Sequence, residues 1–192
     1  MNQMTKPLRN LDGIEVPAVG IWKLDPAHSV LSFSARHLMV AKVRGQFDRF
    51  QGTVTIGDRP EDTSIDVTIE AAGITTNQEQ RDEHLRSADF LDVERYRSLT
   101  FRSTSTERSG DRTLRVTGDL TIRDTTRPVT LDVTYEGAAS PPWGGVAAGF
   151  SAVAELDREE FGMTWNQALE AGGFLVGKKV RIEIEAELVP SE

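Results

Sequence analysis

Residues 180–188, VRIEIEAEL, alternate strictly between apolar and charged side chains. One face of this segment carries only apolar side chains, those of Val180, Ile182, Ile184, Ala186 and Leu188. A period of two residues is the pattern of a β-strand with one buried face and one solvated face. The segment therefore predicts a long strand in the wall of an all-β domain.

The same alternation recurs along most of the chain from Trp22 onward. Leu31, Phe33, Ala35 and His37 share one face of an early segment, and the pattern returns around residues 43–56, 65–69, 99–103, 114–122, 129–135 and 150–156. The opposite faces are persistently polar, which is the reverse of a membrane barrel. About eight such segments are present, and eight strands is the size at which a closed barrel can hold one ligand. The pattern predicts an eight-stranded antiparallel barrel.

Two segments interrupt this alternation. Between Phe47 and Phe50 the apolar positions slip by one residue, which indicates a bulge or bend that turns a barrel corner. Residues 76–87, TNQEQRDEHLRS, are polar and lack β-branched residues after the first position. Thr76 followed by Glu79 fits a helix capping box. We therefore predict one short helix over this segment, inserted between strands three and four.

Length and composition favour a single domain. The 192 residues suit one barrel, assigned to residues 21–190, with residues 1–20 as an N-terminal arm. The net charge of −8 argues against nucleic-acid binding and against unaided docking on anionic membranes. The chain has no cysteine, which excludes disulfides and thiolate chemistry. Since no stretch approaches the ~20 apolar residues of a membrane span, and residues 1–20 lack the apolar core of a secretory signal, we expect a cytoplasmic protein that is not membrane-embedded.

The inward faces of the predicted strands mix large and small side chains. Phenylalanines alternate there with alanines and glycines, namely Phe33, Phe47, Phe50, Phe101 and Phe150 with Ala35, Gly45, Gly52, Gly118, Ala152 and Ala154. Small inward residues leave room along a barrel axis unless neighbouring side chains fill it. The pattern alone is compatible with an open tunnel and equally with a solid core.

Candidates for catalysis and metal binding are few. His84 has acidic neighbours in Asp82, Glu83 and Asp89, but adjacent helical residues point about 100° apart, so His84 and Glu83 form no dyad. The sequence holds no nucleophile elbow and no Walker A, dinucleotide or H-E-x-x-H motif. Its three histidines show no metal-ligand spacing. We expect no catalytic residue, no metal and no cofactor.

Several motifs resemble those of one known family. They are W-x-L-D-P-A-H-S at residues 22–29, R-H-L-M-V-A-K-V-R-G-Q-F at 36–47, T-T-N-x-E-x-R-D-x-H-L-R-S-A-D-F-L at 75–91, G-D-L-T-I-R-D-T-T-R-P-V-T-L at 118–131, P-W-G-G at 142–145 and D-R-E-E-F-G at 157–162. In this order they are similar to the YceI-like family of polyisoprenoid-binding, lipocalin-like barrels. The resemblance implies an extended barrel with a long apolar tunnel for an isoprenoid tail, capped by the helix. It carries over no catalytic motif.

The resemblance implies a lipid-binding protein rather than an enzyme. We expect it to carry or store a long isoprenoid, of prenyl quinone or prenyl pyrophosphate type, as a monomer or homodimer with no nucleic-acid partner. The expected ligand-lining residues are Leu31, Phe33, His37, Phe47, Phe101 and Phe150, with Trp143, Trp165 and Phe174 at the mouths. The alternatives are a stress-response or interaction protein with a solidly packed barrel, and an enzyme acting on an isoprenoid head group with His37 or His84 as base.

Overall fold

The computed structural model describes residues 7–142, 144–170 and 172–191. An N-terminal hairpin of β1 (Leu8–Leu11) and β2 (Ile14–Pro17) precedes the main sheet. The main sheet consists of β3 (Gly20–Leu24), β4 (Val30–His37), β5 (Ala41–Phe47), β6 (Phe50–Ile56), β7 (Ser64–Glu70), β8 (Ile74–Thr75), β9 (Ser98–Arg108), β10 (Thr113–Ile122), β11 (Thr125–Ala139), β12 (Ala147–Asp157) and β13 (Val176–Pro190). The helix α1 (Glu79–Arg86) and short 3₁₀ turns at Pro60–Asp62, Ala71–Gly73 and Arg158–Phe161 complete the fold. Among the described residues, no helix is long and apolar enough to cross a bilayer.

The main sheet closes on itself into a barrel. Its strand order runs β12-β11-β10-β9-β7-β6-β3-β13, and β13 pairs again with β12 in the same antiparallel sense. Three of the eight barrel strands consist of two segments each. β3 and β4 form one strand, since both pair with β13, and β5 and β6 form the next, since they pair with β4 and β3 respectively. β7 and β8 form the third, since they pair with β6 and β5. Counted with each broken strand once, the described residues form the closed eight-stranded antiparallel barrel that the sequence predicts.

The break between β5 and β6 lies where the alternation slips. Phe47 ends β5 and Phe50 begins β6, with Asp48 and Arg49 between them. Backbone hydrogen bonds join this bend to the segment that links β7 and β8: the Asp48 amide donates to the Gly73 carbonyl at 3.1 Å. The slip in phase therefore predicts the bend correctly, since a residue left out of the ladder changes which face its successors occupy.

The helix lies elsewhere in the strand order than the sequence indicates. When each strand segment is numbered separately, it follows β8 and precedes β9, so the predicted position between strands three and four is wrong in that numbering. The strand count fails because the N-terminal hairpin and the broken strands add segments before the helix, and side-chain alternation does not reveal a break in pairing. The helix also begins later than the capping box predicts. Gln78 is the N-cap residue, and its side chain accepts a hydrogen bond from the Arg81 amide, whereas the Thr76 hydroxyl donates to Asp82.

Three clusters of buried apolar side chains follow one another along the barrel. At the end covered by α1, here called the helix end, the cluster includes Phe90, Leu91, Leu99, Leu156 and Phe161. The middle cluster consists of Phe101, Val116, Val133 and Ala152, with further apolar side chains packed around it. At the opposite end, here called the hairpin end, the cluster includes Trp22, Val54, Tyr135, Val146, Ala148 and Leu188, against which the β1–β2 hairpin packs.

Two inward glycines accommodate aromatic rings from a neighbouring strand. Gly45 of β5 lies opposite Phe33 of β4, and a Cβ built on Gly45 would overlap the Phe33 ring. A Cβ on Gly118 of β10 would stand 2.5 Å from the Phe101 ring of β9. Part of the room that the small inward residues indicate is therefore filled by these rings.

Replacing Gly118 with alanine is expected to lower the free energy of unfolding by about 2 kcal/mol, because the neighbouring atoms of β9 must move to make room for the new Cβ. It would lie 2.5 Å from Phe101 Cζ and 2.6 Å from the Arg102 carbonyl oxygen, and a backbone atom cannot move away cheaply. Urea unfolding measures the effect. Gly149→Ala is the matched control, since the atom nearest to its new Cβ is 3.6 Å away. Equal stabilities for the two variants would show that the Gly118 site can relax.

Candidate functional site

A cavity of about 390 Å³ lies inside the barrel and is lined by residues from the helix end to the hairpin end. All five apolar residues of the segment 180–188 line it, because every second residue of a strand faces the barrel axis. The other strands contribute inward apolar side chains in the same way, among them Val54, Val67, Leu99, Val116, Leu131 and Ala152. The period-two pattern thus produces a continuous apolar wall.

The structure places the predicted ligand-lining residues in different surroundings. Five of them line the cavity: Leu31, Phe33, Phe47, Phe101 and Phe150. His37, Trp165 and Phe174 are not among the lining residues, and Trp143 lies outside the described residues. His37 is the last residue of β4, and Phe174 is exposed. Contact of the five residues with a ligand stays a prediction.

The hairpin end of the cavity is covered by β1 and β2. Leu11, Ile14 and Val16 line the cavity there. A hydrogen bond joins the hairpin to β11, since the Tyr135 hydroxyl donates to the Glu15 carbonyl at 2.7 Å. The sequence predicts only an arm for this segment and no lining residue within it. The short alternation of Ile14 and Val16 is the available signal, but four residues are too few to establish a period.

Three arginines stand among the lining residues of the hairpin end. Arg9 donates from Nη2 to the Gly57 carbonyl at 2.7 Å, while its buried Nε has no hydrogen-bond partner within the described residues. Arg108 pairs with Asp12 at 2.6 Å, and Arg112 lies over the Tyr135 ring. This end therefore offers hydrogen-bond donors at the rim of an otherwise apolar cavity.

The helix end of the cavity is closed by Leu85, Phe90, Leu91 and Met163, with one buried cation beside them. Arg158 is only 3% exposed and donates to the backbone carbonyls of Met163, Val176 and Gly177. Burial lowers the pKa of this guanidinium, although the charges of Glu159 and Asp157 act in the opposite direction. Arg158 thus ties the 3₁₀ turn to the start of β13 and lines the cavity at the same time.

Asp82 of α1 connects the helix to the barrel through hydrogen bonds with the end of β8 and the residue after it. This buried carboxylate accepts hydrogen bonds from the Thr75 hydroxyl at 3.0 Å, the Thr76 amide at 2.7 Å and the Thr76 hydroxyl. Burial raises the pKa of Asp82, but the hydrogen bonds from Thr76 and Thr75 and the charge of Arg86 outweigh it, so the pKa lies below its usual value. The ionised carboxylate is therefore the form that the fold stabilises.

His84, the candidate base from the sequence, belongs to a packing contact outside the cavity. Its Nε2 lies 2.8 Å from Asp89, and its ring stacks edge-on against Phe90 and Trp165 at centroid distances of 5.1 and 4.5 Å. Neither His84 nor Trp165 is among the cavity-lining residues. The arrangement connects the end of α1 to the loop after the 3₁₀ turn, which accounts for the burial of Phe90.

A cluster of one histidine and two carboxylates, His28 with Asp25 and Glu187, lies on the outside of the barrel. His28 Nδ1 is 2.8 Å from Asp25 and 3.6 Å from Glu187, and the three groups present one potential metal-ligand atom each. The hydrogen bond to Asp25 raises the pKa of His28, and the charge of Glu187 adds to this effect. Sequence spacing does not reveal the cluster because Glu187 comes from the last strand. His28 is largely exposed and does not line the cavity.

Comparisons with known proteins agree with this architecture. Residues 22–188 match the model of the YceI-like domain. A UPF0312 protein of Staphylococcus aureus strain USA300 is 39% identical over 171 residues, which cover 88% of this chain and 96% of that protein. The crystal structure of Burkholderia cenocepacia BcnA superposes with a TM-score of 0.73 at 24% identity, covering 88% of this chain and 99% of that one. A polyisoprenoid binding domain from Saccharophagus degradans, implicated in plant cell wall breakdown, superposes with a TM-score of 0.64 at 11% identity, covering 88% and 98%.

Proposed function

The chain belongs to the YceI-like family, and we propose that its barrel binds a long apolar isoprenoid lipid and carries or stores it. The observation that carries the proposal is the cavity of about 390 Å³ with its apolar wall. This volume falls within the range of roughly 300–1,000 Å³ that is typical of small-molecule sites. The choice of ligand class is supported by the Saccharophagus degradans neighbour, which is a polyisoprenoid binding domain.

The physical basis of binding is burial of the isoprenoid tail. Transfer of apolar surface from water into an apolar cavity is worth about 25 cal/mol per Å², and it requires no directional contacts along the tail. Hydrogen-bond donors for a diphosphate or a quinone oxygen are present at both ends of the cavity, from Arg158 at the helix end and from Arg9 and Arg112 at the hairpin end. A prenyl quinone or a prenyl pyrophosphate fits this distribution of an apolar middle and polar ends.

Extraction of the native ligand tests the proposal directly. Freshly purified protein is denatured and extracted with organic solvent, and the extract is analysed by mass spectrometry. We expect a prenyl lipid in near-stoichiometric amount.

In parallel, ligand-free refolded protein is incubated with a prenyl quinone and separated from free lipid by gel filtration. A lipid-free extract together with no co-elution of the quinone would refute isoprenoid binding.

A further inference from the structure

The turn between β4 and β5 exposes a group of apolar side chains. Leu38, Met39 and Val40 are 41%, 66% and 81% exposed, and Phe174 in the loop before β13 is 52% exposed. These four residues, here called the apolar tip, are joined by two contacts between the turn and the loop. The Leu38 amide donates to the Leu175 carbonyl at 2.9 Å, and a Cβ on Gly173 would lie 3.6 Å from Met39 Cγ. Both neighbours of Phe174 thus lie against the turn, which brings the exposed Phe174 next to Leu38, Met39 and Val40 in the fold.

The backbone of this turn is unfavourable for the residues that it carries. Leu38 and Met39 have φ values of 51° and 64°, and the Val40 amide donates to the His37 carbonyl at 3.2 Å. Two successive residues with positive φ define a type I′ turn, which favours Asn-Gly and disfavours large side chains. The chain therefore places bulky apolar residues where both backbone conformation and exposure to water oppose them. Such a combination is typical of positions retained for function rather than for stability.

Basic side chains flank the apolar tip on the outer wall. Arg36 of β4 lies directly opposite Lys42 of β5, and Arg44 follows two residues further along β5. All three are exposed, and within the described ranges none of them forms an ion pair. Like charges opposite each other on two strands repel, so Arg36 and Lys42 do not stabilise the hairpin. Here this group is called the basic flank.

We propose that the apolar tip docks on a bilayer that contains anionic phospholipids. Exposed apolar side chains gain free energy when they enter the interface between head groups and acyl chains, and adjacent Lys and Arg side chains are attracted to anionic head groups. The net charge of −8 by itself argues against docking on anionic membranes, but at about 0.1 M salt screening limits the relevant charges to those within about 10 Å of the membrane. Along β4 and β5 the charges that adjoin the tip are those of the basic flank, whereas the loop before Phe174 contributes the exposed Glu170.

The position of the apolar tip connects it to the cavity. His37, the residue before the tip, pairs with Val176, and Val176 lines the cavity at the helix end. A protein docked in this way presents the helix end of its barrel to the bilayer, which is the phase in which a long apolar lipid dissolves. Docking itself does not depend on what the barrel contains, so its test is independent of the proposed function.

The double substitution Leu38→Asn with Met39→Gly separates docking from folding. It removes apolar area from the tip and supplies the residue pair that a type I′ turn favours. We expect the melting temperature to rise, and binding to vesicles of equal parts phosphatidylcholine and phosphatidylglycerol to weaken by on the order of tenfold or more. Co-sedimentation of the full chain with the vesicles measures binding. Ile21→Asn is the control, because Ile21 is similarly exposed at 54% but belongs to β3, away from the tip.

Neutralisation of the basic flank tests the electrostatic part of the proposal. Lys42→Gln combined with Arg44→Gln is expected to weaken binding to the mixed vesicles by roughly fivefold per charge at about 0.1 M salt, and to leave binding to pure phosphatidylcholine unchanged. Added salt is expected to reproduce this loss in the unmodified protein. The proposal is overturned if the unmodified protein fails to bind the mixed vesicles at about 0.1 M salt, or if the Leu38→Asn, Met39→Gly protein binds them as well as its parent.

Discussion

Replacing Ala152 with phenylalanine is expected to weaken isoprenoid binding by about tenfold or more, equivalent to at least ~1.4 kcal/mol. Ala152 lies in the middle of β12, is 8% exposed and lines the cavity within the cluster of Phe101, Val116 and Val133. A phenyl ring at this position occupies the space through which an extended tail must pass. Since the ring enters existing free volume, the cost in stability is expected to stay at the lower end of the usual range of about 1–3 kcal/mol for overpacking.

The measurement for Ala152→Phe is a titration of ligand-free protein with a prenyl quinone, with the stability of each variant determined by urea unfolding. Val153→Phe is the matched control, because Val153 is the next residue of β12 and is not among the cavity-lining residues. It adds the same ring to the opposite face of the strand. Equal affinity of both variants and the parent protein would show that the tail does not pass Ala152.

Replacing Asp82 with asparagine is expected to destabilise the protein by about 3 kcal/mol, because hydrogen bonds to a charged acceptor are each worth about 1.5–3 kcal/mol. The amide of asparagine offers one acceptor oxygen in place of two, and its NH₂ group then faces donors from Thr75 and Thr76. For a protein of this size the expected fall in melting temperature is roughly 6–12 °C. Glu83→Gln is the control, since Glu83 is an exposed residue of the same helix.

The effect of Asp82 is expected to depend on pH in a defined direction. Its pKa in the folded protein lies below its usual value, so its contribution to stability is fully present above the unfolded pKa of about 3.9. The contribution is lost as the pH falls through the lower folded pKa, where the folded state also takes up the proton. Thermal melts of Asp82→Asn and its parent should therefore differ by a constant amount above about pH 5, begin to converge near pH 4, and meet only below the lowered folded pKa of Asp82. A difference that persists at lower pH would mean that the charge of Asp82 is not what matters.

Sequence pattern is most informative where a structural property repeats along the chain. The alternation in residues 180–188 predicts a strand whose five apolar side chains all line the cavity. The slip between Phe47 and Phe50 predicts the bend between β5 and β6. In both cases the signal comes from neighbouring residues, because the face that a side chain occupies is determined by its position within its own strand.

Pattern is uninformative at the ends of the barrel. His37, Trp165 and Phe174 are predicted to contact the ligand, but none of them lines the cavity: His37 is the last residue of β4, and Trp165 and Phe174 lie between the 3₁₀ turn and β13. In the sequence the Asp82 carboxylate is a neighbour of His84, whereas the structure turns it towards Thr75 and Thr76. Side chains at strand ends and in loops follow no period, so their contacts depend on which segments meet there.

The order of residues along the chain is enough to predict strands with one apolar face and one polar segment that forms a helix. It does not predict that β13 pairs with both β12 and β4, and hence that the barrel closes around a cavity with one end under α1 and the other under the β1–β2 hairpin. The difference lies in the range of the interactions. Side-chain alternation is encoded by adjacent residues, whereas closure, the Asp25–His28–Glu187 cluster and the apolar tip each join segments that are far apart in the chain.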